Sequence, residues 1–226
     1  MPRILPGETD IYALTDSRLS LGRPVGEVAR ALLGAGVRLI QYREKRLPAG
    51  AMLEECRELR RLTREAGASF IVNDHVDIAL LVEADGVHVG QDDLPVPEVR
   101  RLVGPEMIIG LSTHSPEQAR AAVAAGADYI GVGPIFATQT KEDVVAPVGF
   151  AYLDWVAAHI KLPFVAIGGI KAWNAADVAA HGADCCALVS GFVGAEDIPA
   201  AVAEVRAAMQ TGKAARRGEP AQRTLA

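Results

Sequence analysis

The sequence predicts an α/β protein folded as a single-domain (β/α)8 TIM barrel, and three observations carry that reading. A short apolar run, a polar turn and an Ala/Leu-rich amphipathic stretch recur in eight successive units along the 226 residues, the alternation that closes a parallel barrel. The strand runs are apolar nearly throughout, as in Phe164-Val-Ala-Ile167, which suits a parallel sheet covered by helices on its outer face. No Gly-x-Gly-x-x-Gly follows the first strand and no P-loop lysine motif is present, so doubly wound nucleotide-binding folds have no support.

The elements follow in order. Strands are expected at 11–14, 39–42, 69–72, 86–89, 107–110, 129–133, 164–167 and 185–189, each a short, mostly apolar run. Helices are expected between them at 25–36, 49–66, 76–84, 96–103, 116–125, 150–159, 175–180 and 198–209, where apolar residues recur at helical spacing. Ser115-Pro116-Glu117 supplies an N-cap, a proline at the first helical position and an acid in the first turn. Gly104 and Gly126 follow helical patterns, where a left-handed residue ends a helix at little cost. The barrel domain is therefore set at residues 1–210. Beyond it, 211–226 lose periodicity and collect Gly, Pro, Arg and Gln. That tail is expected to be disordered, the alternative being a basic interaction arm.

Composition excludes several classes. An apolar fraction of 50% with 23% charged residues is that of a globular chain. No run approaches the roughly 20 apolar residues of a membrane span, and residues 1–8 lack the apolar core of an export signal. Cys56, Cys185 and Cys186 make no disulfide framework and no zinc spacing, so a reducing, cytoplasmic setting is expected. The net charge is -5, and residues 211–226 carry four cations against one acid, which leaves -8 on residues 1–210. So acidic a body is a poor partner for nucleic acid, and 11 aromatic residues are too few for a base-stacking platform. Anionic ligands must then be met in a local pocket. The oligomeric state is left open, a homo-oligomer included.

In a barrel the chemistry sits at the carboxyl ends of the strands, and the polar residues gather there. Strand two runs into Gln41-Tyr-Arg-Glu-Lys45, where alternation puts Gln41, Arg43 and Lys45 on one face. Two cations and an amide suit a phosphate or diphosphate; the alternative is pairing of Arg43 and Lys45 with Glu44 and its neighbours on a solvated rim. Strand three ends at Asn73-Asp74 and strand four leads into Gly90-Gln-Asp-Asp93. Asp74 with Asp92 or Asp93 offers the sparse carboxylate set that Mg2+ takes alongside water and phosphate, and helix or turn capping is the other reading. Strand five ends at Ser112, with His114 either an acid–base group or a flank of the Ser115 cap. His75 and His88 read as satisfied core residues. The segment from Gly133 to Gly149 holds Thr138, Thr140 and Lys141, the composition of a binding loop or of an ordinary exposed one. Gly168-Gly169 and Ser190 end strands seven and eight, the recurrent phosphate site of this fold. Cys185 and Cys186 read as small core residues. Two phosphate sites without an obvious nucleophile suggest a transferase that joins two phosphorylated small molecules by ionising a C–O bond.

These residues resemble the thiamine phosphate synthase family over residues 10–208. The matching motifs are Gln41-Tyr-Arg-Glu-Lys45, Val72-Asn-Asp74, Gly86-Val-His-Val-Gly-Gln-Asp-Asp93, Gly110-Leu-Ser112, Thr138-Gln-Thr-Lys141, Ala166-Ile-Gly-Gly-Ile170 and Val189-Ser190. The resemblance implies condensation of 4-amino-5-hydroxymethyl-2-methylpyrimidine diphosphate with hydroxyethylthiazole phosphate, giving thiamine phosphate and pyrophosphate. By carry-over, Gln41, Arg43, Lys45, Asn73, Ser112 and Lys141 hold the pyrimidine diphosphate, with Arg43, Lys45, Ser112 and Lys141 as the catalytic set. Asp74 and Asp93 ligate Mg2+, which decides between Asp92 and Asp93. Thr138, Thr140, Gly169, Val189 and Ser190 hold the thiazole phosphate. The implied chemistry is dissociative: the aminopyrimidine stabilises a methylene cation, and the thiazole nitrogen attacks through a lone pair without a general base. Two positions depart from the family's habit, Ala137 where proline is usual and Gly191 where alanine is common. The rival readings are a thiazole tautomerase using His114, a phosphosugar isomerase or epimerase, and a non-catalytic thiamine phosphate-binding barrel.

Overall fold

A computed structural model describes residues 3–140 and 145–218. The strands are β1 (Ile11–Leu14), β2 (Leu39–Tyr42), β3 (Ser69–Asn73), β4 (Gly86–Val89), β5 (Ile108–Thr113), β6 (Tyr129–Val132), β7 (Phe164–Ile167) and β8 (Cys186–Leu188). The helices are α1 (Val25–Gly34), α2 (Ala49–Glu65), α3 (Val76–Leu81), α4 (Val96–Val103), α5 (Pro116–Ala125), α6 (Gly149–His159), α7 (Ala172–Ala180) and α8 (Ile198–Arg216). Every strand pairs in parallel with the next, and β8 pairs back on β1 to close the barrel. Among the described residues no helix is long and apolar enough to cross a membrane.

Strand alternation divides the buried residues into two cores. Ile11, Ile40, Phe70, Val87, Ile109 and Ile130 point outward into the layer shared with the helices. A fully buried side chain of that size contributes about 1.5–3 kcal/mol over its exposed state. Tyr12, Leu39, Ile71, Ile108, Tyr129, Val165 and Cys185 point inward, and Leu5 of the N-terminal segment packs against them. Ile4 N–H is held by Ser69 Oγ at 2.6 Å. Inside the barrel the residue two places further along each strand lies one tier nearer the mouth. Thus Leu39 is followed by Gln41, Ile71 by Asn73, Gly86 by His88 and Gly110 by Ser112. The same alternation that fills the bottom with hydrocarbon lines the top with polar groups.

Helix ends follow local chemistry. Ser115 Oγ accepts from Gln118 N–H at 3.3 Å ahead of Pro116, and Gly126 closes α5 in the left-handed conformation. Several boundaries differ from those expected, and three have a visible cause. β5 runs on to Thr113, because its ladder with β6 continues and Thr113 Oγ1 donates to Gly131 O at 2.8 Å. α7 starts at Ala172, ahead of residue 175, since Asn174 Oδ1 takes the Lys171 N–H at 2.7 Å. The expected domain end at residue 210 falls inside α8, which continues to Arg216. Its last turns are packed and tied: Gly212 lies so close to α7 that a Cβ there would stand 2.0 Å from Ala176 O, and Arg216 reaches Asp184 at 2.5 Å. The rest of the tail, 219–226, lies outside the described residues.

Cys56, Cys185 and Cys186 are free and buried, the last two as expected of core residues. Burial pushes the Cys56 thiol up to about 12 and the Cys185 thiol well above its usual value.

Gly86 is a tight point of the lower tier. A Cβ at this position would stand 2.6 Å from Ile108 O and 2.7 Å from Ile71 Cδ1. Gly86→Ala is therefore expected to destabilise the fold by about 1–3 kcal/mol, the usual cost of overpacking. A urea unfolding midpoint unchanged from the parent would contradict this packing.

Candidate active site

The carboxyl ends of the strands open into two joined chambers. An inner one, walled by Val165, Ile167 and Leu188, lies over β6–β8. An outer one of about 690 Å³ lies over the ends of β2–β5. They share Arg43, Asn73, His88, Ser112, His114 and Thr140. Gln41, Arg43, Asn73, Ser112, Thr138, Thr140, Gly169, Val189 and Ser190 line the inner chamber. Lys45, Asp74 and Asp93 join Arg43, Asn73, Ser112 and Thr140 around the outer one. The structure thus brings every described candidate residue to one mouth. Lys141 lies outside the described residues.

The charges there are already partnered, though not as the sequence suggested. Arg43 does not pair with Glu44; its NH1 donates to Asp16 at 2.5 Å, with both side chains more than nine-tenths buried. Arg43 N–H also donates to Thr15 Oγ1 at 3.0 Å, while Arg43 Nε is buried without a partner among the described residues. Lys45 reaches Asp74. Glu44 instead takes the backbone N–H groups of Lys45 and Arg46, each at 2.7 Å. Burial pushes the Glu44 carboxyl up, but the Ser17 hydroxyl and the N–H groups of Arg46, Lys45 and Leu47 together hold it below its usual range. Arg18, which the sequence reading passed over, donates to Thr140 O at 3.2 Å across the mouth.

Asp74 sits at φ +62, a conformation that costs most side chains about 1–2 kcal/mol and is easiest for Asp and Asn. Its N–H is held by His88 O at 2.8 Å. The N-cap of α3 is His75, so His75 belongs to a turn and not to a strand. Asp93 Oδ2 takes Gly90 N–H at 2.6 Å. Both carboxylates keep an oxygen without a protein partner among the described residues, the hard-donor supply a Mg2+ ion with water and phosphate ligands uses. Among the described residues no three His, Cys, Asp or Glu side chains are grouped for a metal, so a larger protein cage is not built here.

At the other side Gly168 and Gly169 turn with φ +100 and +66 beneath the loop after β6. A Cβ on Gly169 would stand 2.7 Å from Ala137 O and from Phe136 Cβ, so only glycine leaves this backbone open. Ser190 accepts from Lys171 Nζ at 2.7 Å, and burial lowers the affinity of that amine for its proton. Lys171 has no carboxylate partner among the described residues; it follows Gly168-Gly169-Ile170 directly, a position the sequence reading left unused. His114 donates from Nδ1 to Gly133 O at 2.5 Å, and its N–H goes to Gln118 Oε1 at 2.7 Å, so it supports the turn into α5.

Below the mouth the sequence reading missed a continuous polar chain. Gln41 Nε2 lies 2.8 Å from Tyr12 OH, Tyr12 OH 2.9 Å from Tyr129 OH, and Tyr129 OH 2.9 Å from His88 Nδ1. His88 Nε2 lies 2.9 Å from Ser112 Oγ. His88 is buried and satisfied, as a core histidine should be, but its partners lead to the cavity.

A family model described as thiamine monophosphate synthase matches residues 11–192. A thiamine-phosphate synthase of Lawsonia intracellularis is 58% identical over 212 residues, 92% of this chain and 98% of that protein. One from Pelotomaculum thermopropionicum is 62% identical over 200 residues, 88% of this chain and 92% of its own. The solved thiamine phosphate pyrophosphorylase of Pyrococcus furiosus superposes with a TM-score of 0.82 at 39% identity, covering 90% of this chain and 96% of that one.

Truncating one member of a buried ion pair strands the other charge. Asp16→Ala is expected to cost about 3–5 kcal/mol, and Asp16→Ala combined with Arg43→Met distinctly less. A double-mutant cycle in which the two changes simply add would show that Arg43 and Asp16 are not a coupled pair.

Proposed function

The chain belongs to the thiamine monophosphate synthase family, whose members are transferases, and on that premise we propose that its mouth joins a pyrimidine diphosphate to a thiazole phosphate. The observation that carries this reading is the single cavity with two unlike ends. The glycine turn, Ser190 and the threonines of the loop after β6 suit a monophosphate, while the outer chamber gathers cations together with Asp74 and Asp93, as a metal diphosphate needs.

In this reading Gly169, Val189, Ser190, Thr138 and Thr140 hold hydroxyethylthiazole phosphate. Gln41, Asn73, Ser112, Lys45 and Lys141 hold 4-amino-5-hydroxymethyl-2-methylpyrimidine diphosphate, and Arg43 adds the charge of its N–H groups not given to Asp16. Asp74 and Asp93 hold Mg2+, which supplies charge neutralisation for the departing diphosphate. The methylene–oxygen bond breaks, its electron pair leaves with the diphosphate, and the thiazole nitrogen closes the new C–N bond with its lone pair. No proton leaves the attacking nitrogen, so no base is required. The side chains work by positioning and by fixed charge. His114 agrees with this division of labour, since its Nδ1 is committed to Gly133 O.

Product should form from the two phosphorylated precursors only when Mg2+ is present. Asp93→Ala is expected to lower turnover by about 100-fold or more, and Asp92→Ala to leave it within about twofold. Equal losses in the two variants would overturn the metal assignment. Lys141→Ala should lower turnover while leaving thiazole phosphate affinity unchanged, read by titration in the absence of the diphosphate.

A further inference from the structure

The buried chain Gln41–Tyr12–Tyr129–His88–Ser112 spans strands β2, β1, β6, β4 and β5, and both of its ends line the inner chamber. We propose that this chain runs in one direction, from Gln41 to Ser112, and that His88 is a positioning residue presenting the Ser112 hydroxyl to the cavity as a donor.

The direction follows from what each group can give. An amide nitrogen only donates, so Tyr12 oxygen accepts from Gln41 Nε2. Each phenol has one proton, and burial keeps both phenols protonated. Tyr12 O–H therefore donates to Tyr129 oxygen, and Tyr129 O–H donates to His88 Nδ1. An imidazole that accepts at Nδ1 carries its proton on Nε2, which then donates to Ser112 Oγ. The Ser112 hydrogen has no acceptor among the described residues and is left for the cavity. At the opposite end Gln41 Oε1 has no partner among the described residues either, and it faces the cavity as an acceptor.

The pocket is thus given one acceptor on β2 and one donor on β5 before anything binds, which is electrostatic preorganisation in its simplest form. Run the other way, the chain would show Ser112 lone pairs to an anion, an arrangement that repels it. Gly110 makes room for the chain: a Cβ there would stand 2.2 Å from Tyr129 Cζ and 2.4 Å from His88 Nδ1. That the donor meets a diphosphate rests on the proposed function; the direction of the chain does not.

The test begins without substrate. Nitrogen-15 spectra of labelled histidine, with the His88 signals assigned by their loss in His88→Gln, are expected to show Nε2 protonated and Nδ1 bare. The opposite tautomer would overturn the proposal. Tyr129→Phe removes the donor to Nδ1 and should abolish the tautomer bias. It should also raise KM for the diphosphate about tenfold, the worth of one hydrogen bond, with KM for the thiazole phosphate unchanged. If the bias disappears and KM does not move, the positioning role is overturned. Tyr12→Phe gives the same reading one link upstream if Tyr129→Phe does not fold. A wild-type protein that shows the expected tautomer but makes no product would instead overturn the condensation, leaving the direction of the chain supported by the spectrum.

Discussion

The hydrogen bonds between β8 and β1 are what every other feature of this molecule depends on. They set Ile11 against Cys186 and Tyr12 against Ala187, and with them the sheet has no free edge. The seam is reinforced from outside by α8. Arg206 Nε holds the Asp10 carboxylate at 2.7 Å and its NH1 reaches Ala35 O at 3.0 Å, while Cys186 N–H donates to Asp10 O at 3.0 Å. Once the sheet is closed, the inward side chains share one narrow column of space. Large residues there require small ones opposite, so Tyr129 faces Gly110 and Ile108 faces Gly86. Closure also fixes which residues rise to the mouth, because each inward position follows from the register of its strand.

The mouth that results is a charged place with little naked charge. Arg43 leans on Asp16 and Lys45 on Asp74, and Glu44 is absorbed by backbone N–H groups. A buried pair such as Arg43–Asp16 is weak evidence for stability, since desolvation takes back much of the attraction. Its effect is better described as orientation: the guanidinium is held in one place at the boundary of the two chambers. The polar groups beneath it are likewise arranged before a ligand arrives, so that little reorganisation is left for the reaction itself.

Much of this was legible in the sequence because barrel strands and helices are specified locally. The recurring runs locate all eight βα units, and position at the carboxyl ends of the strands places Gln41, Asn73, Ser112 and Ser190 at the mouth. What local reading lost were the ends of elements held by tertiary contact. Nothing near residue 210 shows that Gly212 lies against Ala176, so the last turns of α8 were assigned to the tail. Partner identity was lost for the same reason. Tyr12 and Tyr129 meet across 117 residues of sequence, and Asp16 lies 27 residues before the arginine it binds. A signal for the inner chain was nevertheless present: tyrosine at an inward strand position is a hydrocarbon residue with a polar tip that must find a partner. Lys171, one residue beyond two glycines at a phosphate-type turn, is also in plain view in the sequence. From sequence His88 reads as a satisfied core residue, which is correct for its burial and incomplete for its connections.

The three cysteines give the protein a built-in record of its own opening. Thiols react as thiolates, and these are buried and held protonated, so alkylation in the native state must wait for a fluctuation that uncovers them. They sit at three depths: Cys56 on α2, Cys186 on the outward face of β8, and Cys185 just before β8, facing the barrel interior. Labelling at Cys56 therefore times the loosening of a helix from the shell, while labelling at Cys185 times the parting of the seam itself. The ratio of the two rates separates breathing of the outer layer from rupture of the barrel, a distinction that a single melting curve averages away.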